Sequence, residues 1–452
     1  MLMDWKTTGS PHQIEVNGRL VTKSSLIAKF MNQFFIDKVQ TISHAMGQTV
    51  ENLSTCIKIM TDRNMKLSLH HVTVEQVRKL LKKLKNTTST SIDELDNFAV
   101  KTSAEIIAGP LHHVIVLSIN QNKFPTGWKY SKVIPLHKKL SQLERKNYRP
   151  VAILSPLSKI LEKVVYTQIY DYFTRNKIFH PNLHGYRGNR STQTALLQMY
   201  DRWVEAAVAG KVSGVVLLDL SAAFDLVEPS ILINKLRIYG LDENFLNWIE
   251  SYLTNRHQAV WIDHTLSEFL ECEVGVPQGS NLGPLFFLIF YNDLPYSLDS
   301  ELDVFADDSS LTVSGDDVVA IGDKLTMEGE KVHQWMLANK LKLNADKTHL
   351  MTLGTQQRLK TLPHHPEVHM DGVLLEEDKD KCELLLGCSI QGDLKWHFQV
   401  ANLLSKLRTR LTGLNKIRFI VPFTTRKIIT NSIFNSIIVT AYHCTKVSKI
   451  RS

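Results

Sequence analysis

The sequence predicts an α+β fold, and three observations carry that expectation. A short β-branched run from Val215, bounded by Gly214, ends at Asp219 and reads as a buried strand stopping at a carboxylate. In VFADDSSL (residues 304–311), Ala306, Asp307 and Asp308 sit between apolar runs, a pattern of strand, tight turn and strand. Elsewhere, as in AKFMNQFFIDKV (28–39), apolar residues recur at helical spacing.

The elements follow in chain order. Residues 1–66 open with Gly-Ser-Pro and Asn-Gly turn signals and then the 28–39 helix. TVEQVRKLLKKLK (73–85) reads as a basic helix and KYSKVIPLHKK (129–139) as a basic strand. HGYRGNRST (184–192) is a glycine-rich turn before a helix that Ser191 or Thr192 can cap. In GVPQGSNLGPLFFLIFYNDL (275–294), Gly275, Pro277, Gly279, Gly283 and Pro284 punctuate the approach to a long apolar stretch. Residues 399–418 put Val400, Leu403, Leu404, Leu407, Leu411 and Leu414 on one helical face, with Lys406, Arg408, Arg410 and Lys416 on the other side. Pro422 breaks the chain, and Thr424 or Thr425 starts a second apolar helix through Ile429, Ile433, Phe434 and Ile437.

Two adjacent carboxylates on a hairpin tip repel one another, so a cation there is the simplest source of relief. Oxygen donors suit hard divalent metals. If Asp219 is brought beside Asp307 and Asp308, the set suits two Mg²⁺ ions about 3.5–4 Å apart, with Mn²⁺ as a substitute, an arrangement that drives phosphoryl transfer. Gln278 and Ser280 offer neutral donors and acceptors, and Gly279 lets backbone approach a ligand closely.

Composition bounds the partners. The 53 basic and 45 acidic residues leave a formal charge of +8, which suits a phosphate-rich partner. The five cysteines, Cys56, Cys272, Cys382, Cys388 and Cys444, form no C-x-x-C pair, so they read as reduced core residues rather than a disulfide or zinc framework. The N-terminus lacks a signal-peptide pattern, and no run reaches the roughly 18 apolar residues of a membrane span, so an intracellular protein without a membrane partner is expected.

Taken in order, the motifs resemble the reverse transcriptase of non-LTR (LINE-type) retrotransposons of the jockey and CR1 group. Asp219 with Phe224 is similar to the family's first palm motif, VPQGSNLGP (276–284) to its second and FADD (305–308) to its third. Further similarity lies at 147–165 (NYRPVAILSPLSKILEKVV), 184–192, 341–348 (LKLNADKT) and 384–396 (LLLGCSIQGDLKW). The resemblance implies a right-hand fold, with an antiparallel palm sheet covered by helices. It divides the chain into an N-terminal linker or extension (1–66), fingers with part of the palm (67–212), palm (213–395) and a truncated thumb (396–452). About 66 residues are too few for the endonuclease that precedes the polymerase in the family, so nicking activity is not expected of this chain.

The implied activity is RNA-directed DNA polymerisation, with RNA template, DNA primer or target DNA, and deoxynucleoside triphosphates as partners, in nucleus and cytoplasm. Asp219 and Asp307 would hold both metals, with Asp308 shaping the site. Arg149 would reach over the incoming nucleotide within an electropositive wall that also holds Lys132, Lys138, Lys139, Arg145 and Lys146. Phe224, Gln278 and Gly279 would contact that nucleotide. Tyr186, Arg187 and Arg190 would face the template, and Lys347 would give a proton to pyrophosphate. A second reading is a catalytically decayed retroelement fragment acting as an RNA-binding module. Intact Asp219, Gln278, Asp307 and Asp308 weigh against it. NTTSTSID (86–93) weighs for it, because only Ser91 and Asp93 match the family's K-S-x-G-x-D pattern there. A third reading, a group II intron or retron-like enzyme, is less well matched by LSAAFD.

Overall fold

The computed structural model describes residues 10–47, 53–61, 65–138, 140–344, 347–377 and 382–435. Its helices and sheets are mixed as an α+β chain requires. The central sheet has four antiparallel strands in the order Glu301–Phe305, Asp308–Gly315, Val212–Leu218 and His349–Leu353. Alternation along Val212–Leu218 explains its position. Val216 and Leu218 enter one core with Ile321, Leu325 and Val332 of helix Val318–Ala338. Val215 and Leu217 face the other way, against Leu196, Met199 and Trp203 of helix Thr192–Val208. Helices therefore cover both faces, and the end of the central strand is held rigidly.

A second sheet joins Tyr148–Ile153, Tyr130–His137 and Arg256–Ile262, with Thr265–Leu266 and Leu270–Cys272 both paired to the last of these. Helix Ser24–Ala45 lies across it. Ile27, Ala28, Met31 and Phe35 of this helix share a small core with Val133, Tyr148, Val260 and Ile262. Asn32 fixes the register: its side chain donates to Glu268 O at 2.9 Å and Gln258 O at 3.3 Å, and accepts from Gln258 Nε2 at 3.1 Å. Far from hanging loose, the 28–39 helix is built into the body of the protein.

Both C-terminal helices form, at His397–Ile417 and Phe423–Thr430, with Pro422 at the start of the second and a π-helical turn over Asn431–Asn435. Neither buries a residue, and Val400, Leu404 and Leu411 remain exposed. The expected apolar face exists, but no core covers it among the described residues. Ile437 and Cys444 lie outside them. Cys56 and Cys272 are free thiols. No helix of the described residues is long and apolar enough to cross a membrane.

Candidate active site

The strand pairing brings the three carboxylates together. Phe305 pairs with Asp308, leaving Ala306 and Asp307 as the hairpin turn, and Ala306 takes a positive φ of 60°. Ser309 stands opposite Leu218, so one step further along the register Asp308 comes abreast of Asp219. Partial shielding from solvent pushes the Asp308 carboxyl up to about 6, and the charges of Asp307 and Asp219 push it the same way. Asp219 is steadied from the other side: its Oδ2 accepts from Asn344 Nδ2 and from Lys347 Nζ, each at 3.0 Å.

The segment before Thr192–Val208 supports the hairpin from beneath. His184 N donates to Val304 O at 2.8 Å, and Val304 N to Asn182 O at 2.9 Å, so this segment pairs with the hairpin's outer strand. Gly185 then meets the turn so closely that a Cβ would overlap the Ala306 amide. Beneath, Arg202 pairs with buried Asp303 and with Glu301. Arg187 points inward as well, donating to His180 O at 2.8 Å and Leu183 O at 3.1 Å, and Arg190 lies 3.0 Å from His184 Nδ1. In this arrangement both arginines bond to the segment that supports the hairpin. Tyr186, at a positive φ of 57°, projects into the cleft.

The loop carrying Gln278 and Gly279 is strapped on three sides. Val276 N donates to Phe224 O and Gly275 N to Val227 O, both at 2.9 Å, while Ala152 N donates to Gln278 O at 2.9 Å. Gly279 has φ +116°, and a Cβ there would run into Ala152 O. Glu162, fully buried, accepts from Asn281 N at 2.6 Å and from Ser158 Oγ at 3.1 Å, and burial pushes its carboxyl above the usual range. Gln278 Nε2 in turn donates to Asp225 Oδ1 at 2.5 Å. Burial raises the Asp225 carboxyl, while this hydrogen bond and the charges of Lys38, Arg149 and Lys138 pull it down.

These parts line one cleft of about 380 Å³. Asp219, Asp307 and Lys347 line it together with Lys138, Arg149, Gln278, Gly279, Phe224 and Tyr186. The Phe224 ring is stacked on Phe287 at 4.6 Å and meets the Tyr186 ring edge-on at 6.0 Å. Of the described residues of the expected electropositive wall, Lys138 and Arg149 reach the cleft. Lys132 is buried against the Trp261 ring and bonded to Thr90, Arg145 covers the Phe34 ring, and Lys146 pairs with Glu144. Lys139 lies outside the described residues.

Two contributors escaped the sequence reading. Asp225 directly follows Phe224, and that adjacency was the available signal. Lys38, with Phe34 and Phe35, reaches the cleft from the N-terminal helix, and its spacing alone reads as a solvated helix face.

As oxygen donors at a strand end and a neighbouring turn, Asp219, Asp307 and Asp308 fit a hard divalent ion in kind. Among the described residues, no three His, Cys, Asp or Glu side chains converge closely enough to hold one as they stand.

Comparison with known proteins follows the same outline. A family described as "Reverse transcriptase (RNA-dependent DNA polymerase)" matches residues 136–387. The chain is 27% identical over 371 residues to a probable RNA-directed DNA polymerase from transposon BS of Drosophila melanogaster, covering 76% of this chain and 39% of that protein. It is 26% identical over 382 residues to the RNA-directed DNA polymerase from mobile element jockey of Drosophila funebris, covering 82% and 41%. With the Drosophila melanogaster jockey protein the identity is 24% over 361 residues, covering 78% and 38%. The chain thus spans about two fifths of the length of these relatives.

Proposed function

Since the chain belongs to the reverse transcriptase (RNA-dependent DNA polymerase) family, we propose that its cleft performs RNA-directed DNA synthesis for a jockey-like non-LTR retrotransposon. The substrates are an RNA template, a DNA primer or target DNA end, and deoxynucleoside triphosphates. The observation that carries this reading is the register that sets Asp308 abreast of Asp219 and beside Asp307, with Asp219 and Asp307 lining the same cleft as Lys138 and Arg149. In this reading the four-stranded sheet is the palm, residues 67–212 supply the fingers and the helices from His397 belong to the thumb.

Asp219 and Asp307, with Asp308 beside them, are the residues that would hold two Mg²⁺ or Mn²⁺ ions. When bound, such ions acidify the attacking hydroxyl and neutralise charge on the phosphates. The protein's own groups do the positioning. Arg149 presents a planar fork to phosphate oxygens, and Lys138 adds a second cation beside it. Phe224, fixed by its stack on Phe287, sets a rigid ring where the nucleotide sugar must lie. Gln278 and Gly279 form the wall nearest the base. Lys347 orients Asp219 by donating to its Oδ2, and is the ammonium that would protonate departing pyrophosphate. Tyr186 closes the cleft beside Phe224, while Arg187 and Arg190 keep the hairpin's support in place.

Extension of a labelled DNA primer annealed to RNA, with Mg²⁺ and all four deoxynucleotides, tests the reading. Binding of the primer-template without extension would instead favour the decayed, RNA-binding alternative.

A further inference from the structure

Lys38 enters the cleft from outside the segment that the family shares, on helix Ser24–Ala45. Its position there is imposed by packing. Ile27, Ala28, Met31 and Phe35 are buried beneath the helix, and Asn32 is locked to Gln258 and Glu268. Lys38 follows Phe34 and Phe35 by four and three residues, so all three fall on one side of the helix, and all three line the cleft. The docked helix therefore holds Lys38 where its side chain lines the cleft.

The Lys38 ammonium joins other cations in the cleft. Lys138, Arg149 and Lys347 line the same cleft, and Lys38, Arg149 and Lys347 all lie near enough to Lys138 to repel its charge. No carboxylate among the described residues lies within ion-pair distance of Lys38, Lys138 or Arg149. The adjacent Asp37 accepts instead from Gln33 Nε2 at 2.7 Å, on its own helix. Asp219, Asp225 and Asp307 line the cleft too, and Lys347 pairs with Asp219, but Lys38, Lys138 and Arg149 have no direct ion-pair partner among the described residues, so a multiply charged anion gains from contact with them.

We propose that Lys38 is part of the binding site for the triphosphate of the incoming nucleotide, so that the N-terminal helix completes the active site. This rests on the polymerase reading. Phosphate groups reach such a cleft from two sources, the nucleotide and the template backbone. The nucleotide is favoured because Lys38 shares its enclosure with Asp219 and Asp307, where the reacting phosphate must lie, and with Arg149.

The test uses the full chain. Lys38 is exposed, so Lys38→Ala leaves the fold intact, which circular dichroism checks. Three measurements are made on wild type, Lys38→Ala and Lys38→Arg: KM and kcat for a deoxynucleotide in primer extension, direct binding of a fluorescent deoxynucleoside triphosphate, and affinity for primer-template. Lys38→Ala should raise KM and weaken the fluorescent nucleotide by about tenfold, as expected for loss of one charge-assisted contact. Its kcat and primer-template affinity should stay within twofold, and Lys38→Arg should restore most of the loss. Unchanged nucleotide affinity would overturn the proposal and leave Lys38 a solvated lysine. Weaker primer-template binding with unchanged nucleotide affinity would overturn it in favour of a template phosphate. The direct binding measurement keeps this result separate from the polymerase reading, which a wild-type protein that binds nucleotide without extending a primer would contradict.

Discussion

Gln278 Nε2 donates to Asp225 Oδ1 across 2.5 Å, joining two loops that lie 53 residues apart in the chain. A carboxylate can only accept, so the contact fixes which end of the Gln278 amide faces inward. Removing it by Asp225→Ala should let the amide rotate, raising KM for the correct nucleotide by about tenfold while kcat changes less. Asp225→Asn keeps an acceptor oxygen and should recover part of the loss. In the double variant with Gln278→Ala the effects should fall well short of additive. Full additivity would show that the two side chains act separately.

Phe224 makes a second test. Its ring is stacked on Phe287 and met edge-on by Tyr186, so it cannot swing aside for a bulkier sugar. Phe224→Val should admit ribonucleotides, raising their kcat/KM relative to deoxynucleotides by about tenfold, or about 1.4 kcal/mol of lost discrimination. Competition between dCTP and CTP on folded variant measures it. Selectivity held within twofold, with activity retained, would make Phe224 a core residue alone.

The buried carboxyl of Glu162 predicts a pH dependence of stability. Burial raises its folded pKa above the unfolded value, with the Asn281 amide, Arg256, Ser158 and Lys159 opposing that rise. The folded state thus holds the proton more tightly. The associated stability is complete below the unfolded carboxyl pKa and is lost as pH rises through the raised folded value. Glu162→Gln cannot lose it. From about pH 4 upward, the Tm of Glu162→Gln should gain on that of wild type and then level off. Parallel curves from pH 4 to 8 would contradict this.

Much of the site was legible because it is built from local patterns. The Val215 run and VFADDSSL obey period-two alternation, and once the strands pair, register alone sets Asp219 beside the hairpin. The 28–39 helix was readable from its apolar spacing. What it packs against was not, because Asn32 finds Gln258 more than 200 residues away. For the same reason Lys38 reads as solvent-facing until the helix is docked. Charged residues misled where burial overrode their usual preference. Lys132 lies against an aromatic ring, and Arg187 and Arg190 turn inward because His180 and Leu183 present backbone carbonyls and His184 a ring nitrogen. Apolar spacing at 399–418 formed its helix but found no core among the described residues, since periodicity reports a face and not its partner.

RNA-templated primer extension by wild type and Asp307→Asn, with and without Mg²⁺, tests the central claim most directly. Asp307 lies in the hairpin turn and Asp308 abreast of Asp219, and replacing one of these carboxylates by an amide removes a charge that a divalent ion needs. The account predicts extension by wild type only when the divalent ion is present, and a loss of about a thousandfold in Asp307→Asn, equivalent to about 4 kcal/mol of transition-state stabilisation. Near-wild-type extension by Asp307→Asn, or extension that survives removal of the divalent ion by chelation, would contradict it.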